Sequence, residues 1–182
     1  MASLTAADLV LQQAAWWTAV LLAAQGRPLA GGAVCLAPVL LHLALRPAER
    51  PRVLRATLAA AAYGLATDTV LAAAGLASYA GARAVSPAWM VGLWAMFGVQ
   101  LTASLRRVAA WPLPALALLG AVAGPLAYRG GEALEAMALA GPLAFAAVAA
   151  QWAVGLPLLA WISRPRPPAP VALPPAVAEA RP

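Results

Sequence analysis

Six apolar runs alternate with short polar or charged segments along the chain: Leu9 to Ala24, Leu29 to Leu45, Val53 to Ala77, Pro87 to Leu105, Val108 to Tyr128 and Leu134 to Ile162. The breaks are sharp. Gly26-Arg27-Pro28 ends the first run, Arg46 to Arg55 separates the second from the third, and Arg129-Gly130-Gly131 ends the fifth. A helix needs about 20 apolar residues to cross the hydrocarbon of a bilayer. The pattern therefore predicts an all-α integral membrane protein, a six-transmembrane-helix bundle. The first run has Asp8 before it and no Lys or Arg, so it is expected to be a retained span rather than a signal peptide, whose lead-in is positive.

After Ile162 the pattern stops. Residues 163–182 hold seven of the 17 prolines, which deny a segment helix and ladder hydrogen bonds. Two units are thus expected: a six-helix transmembrane domain over residues 1–162 and a proline-rich, disordered cytoplasmic tail over 163–182. The PxxP match from Pro165 to Pro168 is close to chance in such a tail. Gly124-Pro125-Leu126-Ala127 recurs as Gly141-Pro142-Leu143-Ala144, which reads either as a pseudo-symmetric outer hairpin with the second copy inside span six, or as chance.

Composition sharpens the class. The chain is 64% hydrophobic and 10% charged, with a mean hydropathy of +0.81; soluble domains run near half apolar and a quarter charged. Six spans occupy about 120 positions, which leaves no room for a separate soluble enzyme domain. Cys35 is the only cysteine, so no disulfide forms within the chain. The net charge of +6 comes from 12 arginines against six acids. They lie at the ends of apolar runs, without the aromatic interleaving or basic stripe of a nucleic-acid groove. Membrane lipids are the expected partners and nucleic acid is not. Arg46, Arg50, Arg52, Arg55, Arg106 and Arg107 are the candidate contacts for anionic headgroups.

Orientation follows from the same arginines. With six spans, nine fall on the side of the termini and three, Arg27, Arg83 and Arg129, on the other. The positive-inside rule then puts both termini in the cytoplasm.

Asp68 carries the most chemical information. An acid inside a span costs about 2.5 to 3.5 kcal/mol on insertion scales, and so turns towards the bundle interior and a partner. Ala61, Gly64, Ala72 and Gly75 surround it at helical spacing and admit a close neighbour. Asp68 lies thirteen residues after Arg55 and Gln151 thirteen before Arg164, so the two share a depth, with Trp94 and Trp152 near that level. Either the Gln151 amide donates to the carboxyl or, since burial favours the neutral form, the protonated carboxyl donates to Gln151. Asp68→Asn is accordingly expected to keep the fold. A proton or cation relay, a substrate contact and a packing acid all fit this pattern.

The remaining candidates are weaker. Trp16 and Trp17, with Gln12 and Gln13 one turn earlier, give span one an amphipathic wall suited to a lipid or polyprenyl chain, or to plain packing. Trp89, Trp111 and Trp161 stand at span ends, as an aromatic belt would. His42, the lone histidine, reads as an interfacial packing residue and Cys35 as a small apolar filler. No metal set, no cofactor motif and no catalytic constellation is readable. Thr67, Thr69, Gln100 and Ser104 have no base at an alignable spacing, and Gly120-x-x-x-Gly124 is a close-packing motif.

Four stretches carry a resemblance. Residues 13–26 (QAAWWTAVLLAAQG), Thr67-Asp68-Thr69, residues 87–98 (PAWMVGLWAMFG) and residues 118–128 (LLGAVAGPLAY) resemble, in that order, the bacterial inner-membrane family called domain of unknown function 2878. The likeness extends from about Leu9 to Ile162 and leaves out the tail. Some members carry a histidine in the fourth span, where this chain reads Val99-Gln100-Leu101-Thr102-Ala103-Ser104, so no such role transfers. The resemblance implies no established activity. It does imply a gene neighbourhood of fatty-acid-modifying methyltransferases and flavin oxidases. The expected function is therefore lipid binding or handling as an accessory to membrane-lipid modification, beside a membrane-associated enzyme partner. The alternatives are a small proton-coupled transporter or channel using Asp68, and a structural membrane subunit. Oligomeric state is not legible.

The arginine count is testable directly. A reporter fused after Arg129 should read periplasmic and one fused after Arg164 cytoplasmic; the opposite pattern would refute the orientation.

Overall fold

The computed structural model describes residues 2–82 and 84–165, the first four of them by backbone alone. Arg83, Arg166, Arg181 and the proline tail beyond Pro165 lie outside the described residues. The helices are α1 (Ala2–Ala24), α2 (Pro28–Leu45), α3 (Arg50–Ala73), α4 (Ala88–Thr102), α5 (Leu113–Ala133) and α6 (Pro142–Ser163). Two strands, β1 (Ala77–Tyr79) and β2 (Met137–Leu139), complete the order, β1 between α3 and α4 and β2 between α5 and α6. Proline stands in the first turn of α2, α3, α5 and α6, where its missing N–H costs nothing and its fixed φ already suits a helix.

Four helices, α2, α3, α5 and α6, are long and apolar enough to cross a membrane. Their outward faces carry Leu40, Leu58, Leu118, Leu126, Leu143 and Val154, all exposed. A belt of that kind is unfavourable in water but suits hydrocarbon. The fourth helix is different. With 15 residues it is about 22 Å long at 1.5 Å per residue, short of a hydrocarbon layer of about 30 Å. It is also the innermost, packing against α2 and α3 most extensively and against α1 and α6 as well. Trp89, Met96, Val99 and Leu101 on it are almost completely buried.

Helices in lipid gain little from hydrophobic burial against each other and rely on close fit. Here glycine supplies the fit. A Cβ at Gly98 would stand 2.5 Å from the Ala56 carbonyl oxygen, and one at Gly120 would stand 2.2 Å from that of Trp152. The small-residue motif in span five thus seats α5 on α6. The stripe expected around Asp68 is only partly used: Gly64 is buried against Trp94, whereas Gly75 lies past the end of α3 at φ 68°.

The two strands were not anticipated. The runs expected to continue to Ala77 and to start at Leu134 instead pair as antiparallel β1 and β2, Ser78 opposite Ala138. The third helix stops at Ala73, where left-handed Gly75 terminates it. The sixth begins only at Pro142, after Gly141 at φ 80°. Gly141-Pro142 therefore opens a helix while Pro125 sits inside one, and the two copies occupy non-equivalent positions. Glu132 and Glu135 border the expected start of span six at Leu134, where acids would suit the first turn of a helix, but they belong elsewhere. Glu132 lies in the last turn of α5 and accepts the Leu139 N–H at 2.7 Å, while Glu135 turns the chain at φ 59°. Trp89 is buried, donating to the Ala80 carbonyl at 3.1 Å, rather than standing in an interfacial belt; Trp111 and Trp161 are exposed.

Gly98→Ala should lower stability by about 1 to 3 kcal/mol, the usual effect of overpacking, because the added methyl meets backbone that cannot rotate away. Thermal unfolding of the detergent-solubilised variant reads this out, and an unchanged transition would refute so close a contact between α3 and α4.

Candidate functional site

Asp68 is completely buried and is enclosed by hydrogen-bond donors. Its Oδ1 accepts from the Tyr128 phenol of α5, from Gln151 Nε2 of α6 at 3.0 Å and from the Tyr79 phenol of β1 at 3.3 Å. Its Oδ2 accepts from Trp94 Nε1 of α4 at 2.8 Å. Gly64, one turn earlier on α3, has no side chain because the Trp94 indole occupies that space. Only five residues separate Asp68 from the end of α3 at Ala73. That is about 7.5 Å at 1.5 Å per residue, so the site lies near the β1 end of the helix rather than midway along it.

The orientation of the Gln151 amide is fixed by its second partner. Thr67 donates its hydroxyl proton to the Tyr63 carbonyl at 2.9 Å, so its Oγ1 is left to accept from Gln151 Nε2 at 2.7 Å. The nitrogen therefore faces Asp68. Of the two directions open to the pair, the amide donates and the carboxyl accepts. Burial, and then the neighbouring Asp68 charge, raise the Tyr79 phenol above its ordinary pKa and keep it a donor. Tyr79 and Tyr128 escaped the sequence reading. Tyr128 appeared there as the end of span five, and Tyr79 as a loop residue.

Next to this network lies a cavity of about 260 Å³ between α1, α4, α5 and α6. Trp94 and Tyr128 belong to both. Trp152 stacks on Trp94 with centroids 4.5 Å apart and meets Phe97 edge-on at 5.1 Å. Trp16, Trp89 and Leu93 continue the wall, and Gln12, Gln13 and Gln100 supply its amides. None of the lining residues is charged. The structure thus brings Asp68, Gln151, Trp94 and Trp152 together and sets Trp16 on the same cavity. Trp17 is apart: it is half exposed and touches Trp16 edge-on at 5.2 Å.

The arginines expected to contact anionic headgroups are partly engaged within the protein. Arg52 Nε donates to the Ser163 carbonyl at 2.7 Å, and Arg55 donates to the Ile162 and Arg164 carbonyls at 3.0 and 2.9 Å. Arg50 does the same for Leu43 at 2.6 Å. These carbonyls sit at the C-terminal ends of α6 and α2, whose last turns lack intrahelical donors. Arg106 and Arg107 are exposed and Arg46 half-buried. His42 also has a partner that spacing did not reveal. Its Nε2 lies 3.1 Å from Asp8 Oδ1, both side chains being buried, and its Nδ1 lies 2.8 Å from the Pro38 carbonyl.

Residues 5–158 match the family described as protein of unknown function DUF2878. The chain belongs to that family. No curated protein and no solved structure matches it. The matched range takes in Asp68, Tyr79, Trp94, Tyr128 and Gln151, and every residue lining the cavity.

The donor cage alters what substitution at Asp68 should do. Asparagine keeps the shape, but its NH₂ has to face either the Trp94 indole or the three donors at Oδ1. Asp68→Asn is therefore expected to destabilise by about 1 to 3 kcal/mol, the cost of opposing or orphaning buried donors. Tyr128→Phe should lose about 1 kcal/mol for one hydrogen bond. Thermal unfolding in detergent checks both, and an Asn variant as stable as the native protein would show that the carboxyl already carries a donor of its own.

Proposed function

We propose that this chain is a six-span protein of the bacterial inner membrane, with both termini on the arginine-rich cytoplasmic side. In this reading it holds a lipid-like molecule as an accessory to membrane-lipid modification. The observation that carries it is the charge-free cavity walled by Trp16, Trp89, Trp94, Phe97 and Trp152. Aromatic walls with a few convergent polar groups are the usual makeup of small-molecule sites. At about 260 Å³ the space is a little below the roughly 300 to 1,000 Å³ typical of such sites, which suits one chain rather than a two-chain lipid. Ala123 and Ala127, exposed on α5 and also lining the cavity, offer a lateral way in from the bilayer. A membrane-associated enzyme that modifies the held chain is the partner this role requires.

A proton-coupled transporter using Asp68 is the second reading, favoured by the single phenol that separates the carboxyl from the cavity. Against it stands the donor cage, which engages both oxygens within the bundle. Flux in proteoliposomes that follows the proton gradient would favour transport.

Mass spectrometry of lipids extracted from the purified protein should find a single-chain species retained near one per protein. Ala123→Trp, which fills the cavity from an exposed position, should lose it. A lipid complement unchanged by that substitution would refute occupancy of this cavity.

A further inference from the structure

Gln12 is 1% exposed, lines the cavity, and has no hydrogen-bond partner at either Nε2 or Oε1 among the described residues. A buried amide without partners has given up water for nothing in return at each unmet group, and native interiors leave few such groups. Nor is its position loose. One turn earlier on α1, Asp8 contacts His42 of α2 at 3.1 Å, and Ala15 and Ala19 beyond it are buried. The α6 wall repeats the observation, since Trp152 Nε1 is buried and also without a partner.

We propose that Gln12 reads the head of the bound molecule, and that this head is uncharged and both donates and accepts hydrogen bonds: an alcohol or a primary amide on a single chain. The argument rests on the lipid-holding reading above and adds the chemical class. The Gln12 amide offers one donor group and one acceptor, so a hydroxyl or amide answers both. A carboxylate or phosphate offers acceptors only. It would also bring a charge into a cavity lined by no cation, and an unpaired buried charge costs several kcal/mol. The apolar remainder then lies against Trp16, Leu93, Phe97 and Trp152, which present carbon surface along the same wall.

Tryptophan quenching by terminally brominated chains tests this on the full-length protein in detergent micelles. Bromine quenches Trp16, Trp94 and Trp152 from inside the cavity in a saturable way, whereas exposed Trp17, Trp111 and Trp161 respond only to unsaturable partitioning. Brominated dodecanol should bind about tenfold more tightly than the equivalent brominated alkane, the worth of one or two hydrogen bonds. The brominated dodecyl phosphate should show no saturable component. Gln12→Leu should abolish the preference for the alcohol while leaving alkane binding unchanged. In the empty protein it should unfold at the same temperature or higher, because it removes an unanswered amide. Gln12→Asn keeps the amide and should keep a preference for the alcohol. If Gln12→Leu binds the alcohol as tightly as the native protein, or if it melts lower when empty, Gln12 is satisfied by water or by the protein and the head-group assignment fails. If no chain quenches saturably, the lipid-holding reading fails with it; if the alkane and the alcohol saturate alike, that reading stands and only the assignment falls.

Discussion

A carboxyl sealed from water has to be answered by donors, and the answer at Asp68 sets the arrangement of this bundle. Its two oxygens are met from β1, α4, α5 and α6 while the residue itself belongs to α3. Five elements thus converge on one functional group. Leaving a single buried donor unmet costs about 1 to 3 kcal/mol, and in hydrocarbon no water substitutes for the missing partner. A slide of α6 by one turn would withdraw Gln151, and a rotation of α4 would withdraw Trp94. Apolar packing tolerates many such shifts; this network tolerates none without loss. The pairing of β1 with β2 follows from it, because the segment that delivers Tyr79 has to be held at the end of the bundle, and β2 is what it pairs with.

Large and small side chains meet in a matched way around that centre. Gly64 admits the Trp94 ring, Gly124 that of Trp152 and Gly155 that of Tyr63, each at distances a Cβ would forbid. Without Gly64, α3 and α4 would stand too far apart for the Trp94 indole to reach Asp68. The fit also has a consequence on the other side of the rings. Trp94 and Trp152 stack on each other and both line the cavity, while the Trp94 indole N–H also reaches Asp68. The residues that hold the helices together are therefore the residues that shape the empty space.

Depth was the part of the site that the sequence made legible. Equal spacing from the arginines Arg55 and Arg164 put Asp68 and Gln151 at one level, and they meet at 3.0 Å. Charge at a membrane face is a ruler for helices that cross it, which is why Trp94 and Trp152 were also found near that level. What spacing does not carry is rotation about each helix axis and the course of the loops. Tyr79 lay in a segment without helical periodicity, so nothing along the chain directed its phenol inward. Tyr128 stood beside Arg129 and read as the edge of a span. The strands were invisible for a related reason: Ala77–Tyr79 and Met137–Leu139 are three residues each, too short to show the alternation that identifies a strand. Asp8 and His42 failed on connectivity. They are 34 residues apart, and only the antiparallel docking of α1 on α2 brings them together.

The two buried polar centres differ in how they are finished, and the difference separates architecture from ligand binding. Around Asp68 both carboxyl oxygens have donors and Thr67 fixes the amide that supplies one of them, while Gln151 Oε1 has no partner among the described residues. The carboxyl is engaged at both oxygens, so an intruding ligand would have to displace one of its donors. At Gln12 the reverse holds: the amide is as deeply buried, yet donor and acceptor both remain open towards a cavity. Folding alone would have favoured leucine there, since an apolar side chain of similar size removes the unmet groups at no cost in packing. In the reading proposed above, the molecule held in the cavity supplies the interaction that the bundle does not. The arginines point the same way. Arg50, Arg52 and Arg55 turn to carbonyls at the C-terminal ends of α2 and α6, and no cation lines the cavity. A neutral site with an open amide discriminates by hydrogen bonding instead of charge, and in hydrocarbon, where each unmet group is paid for in full, that is the sharper criterion.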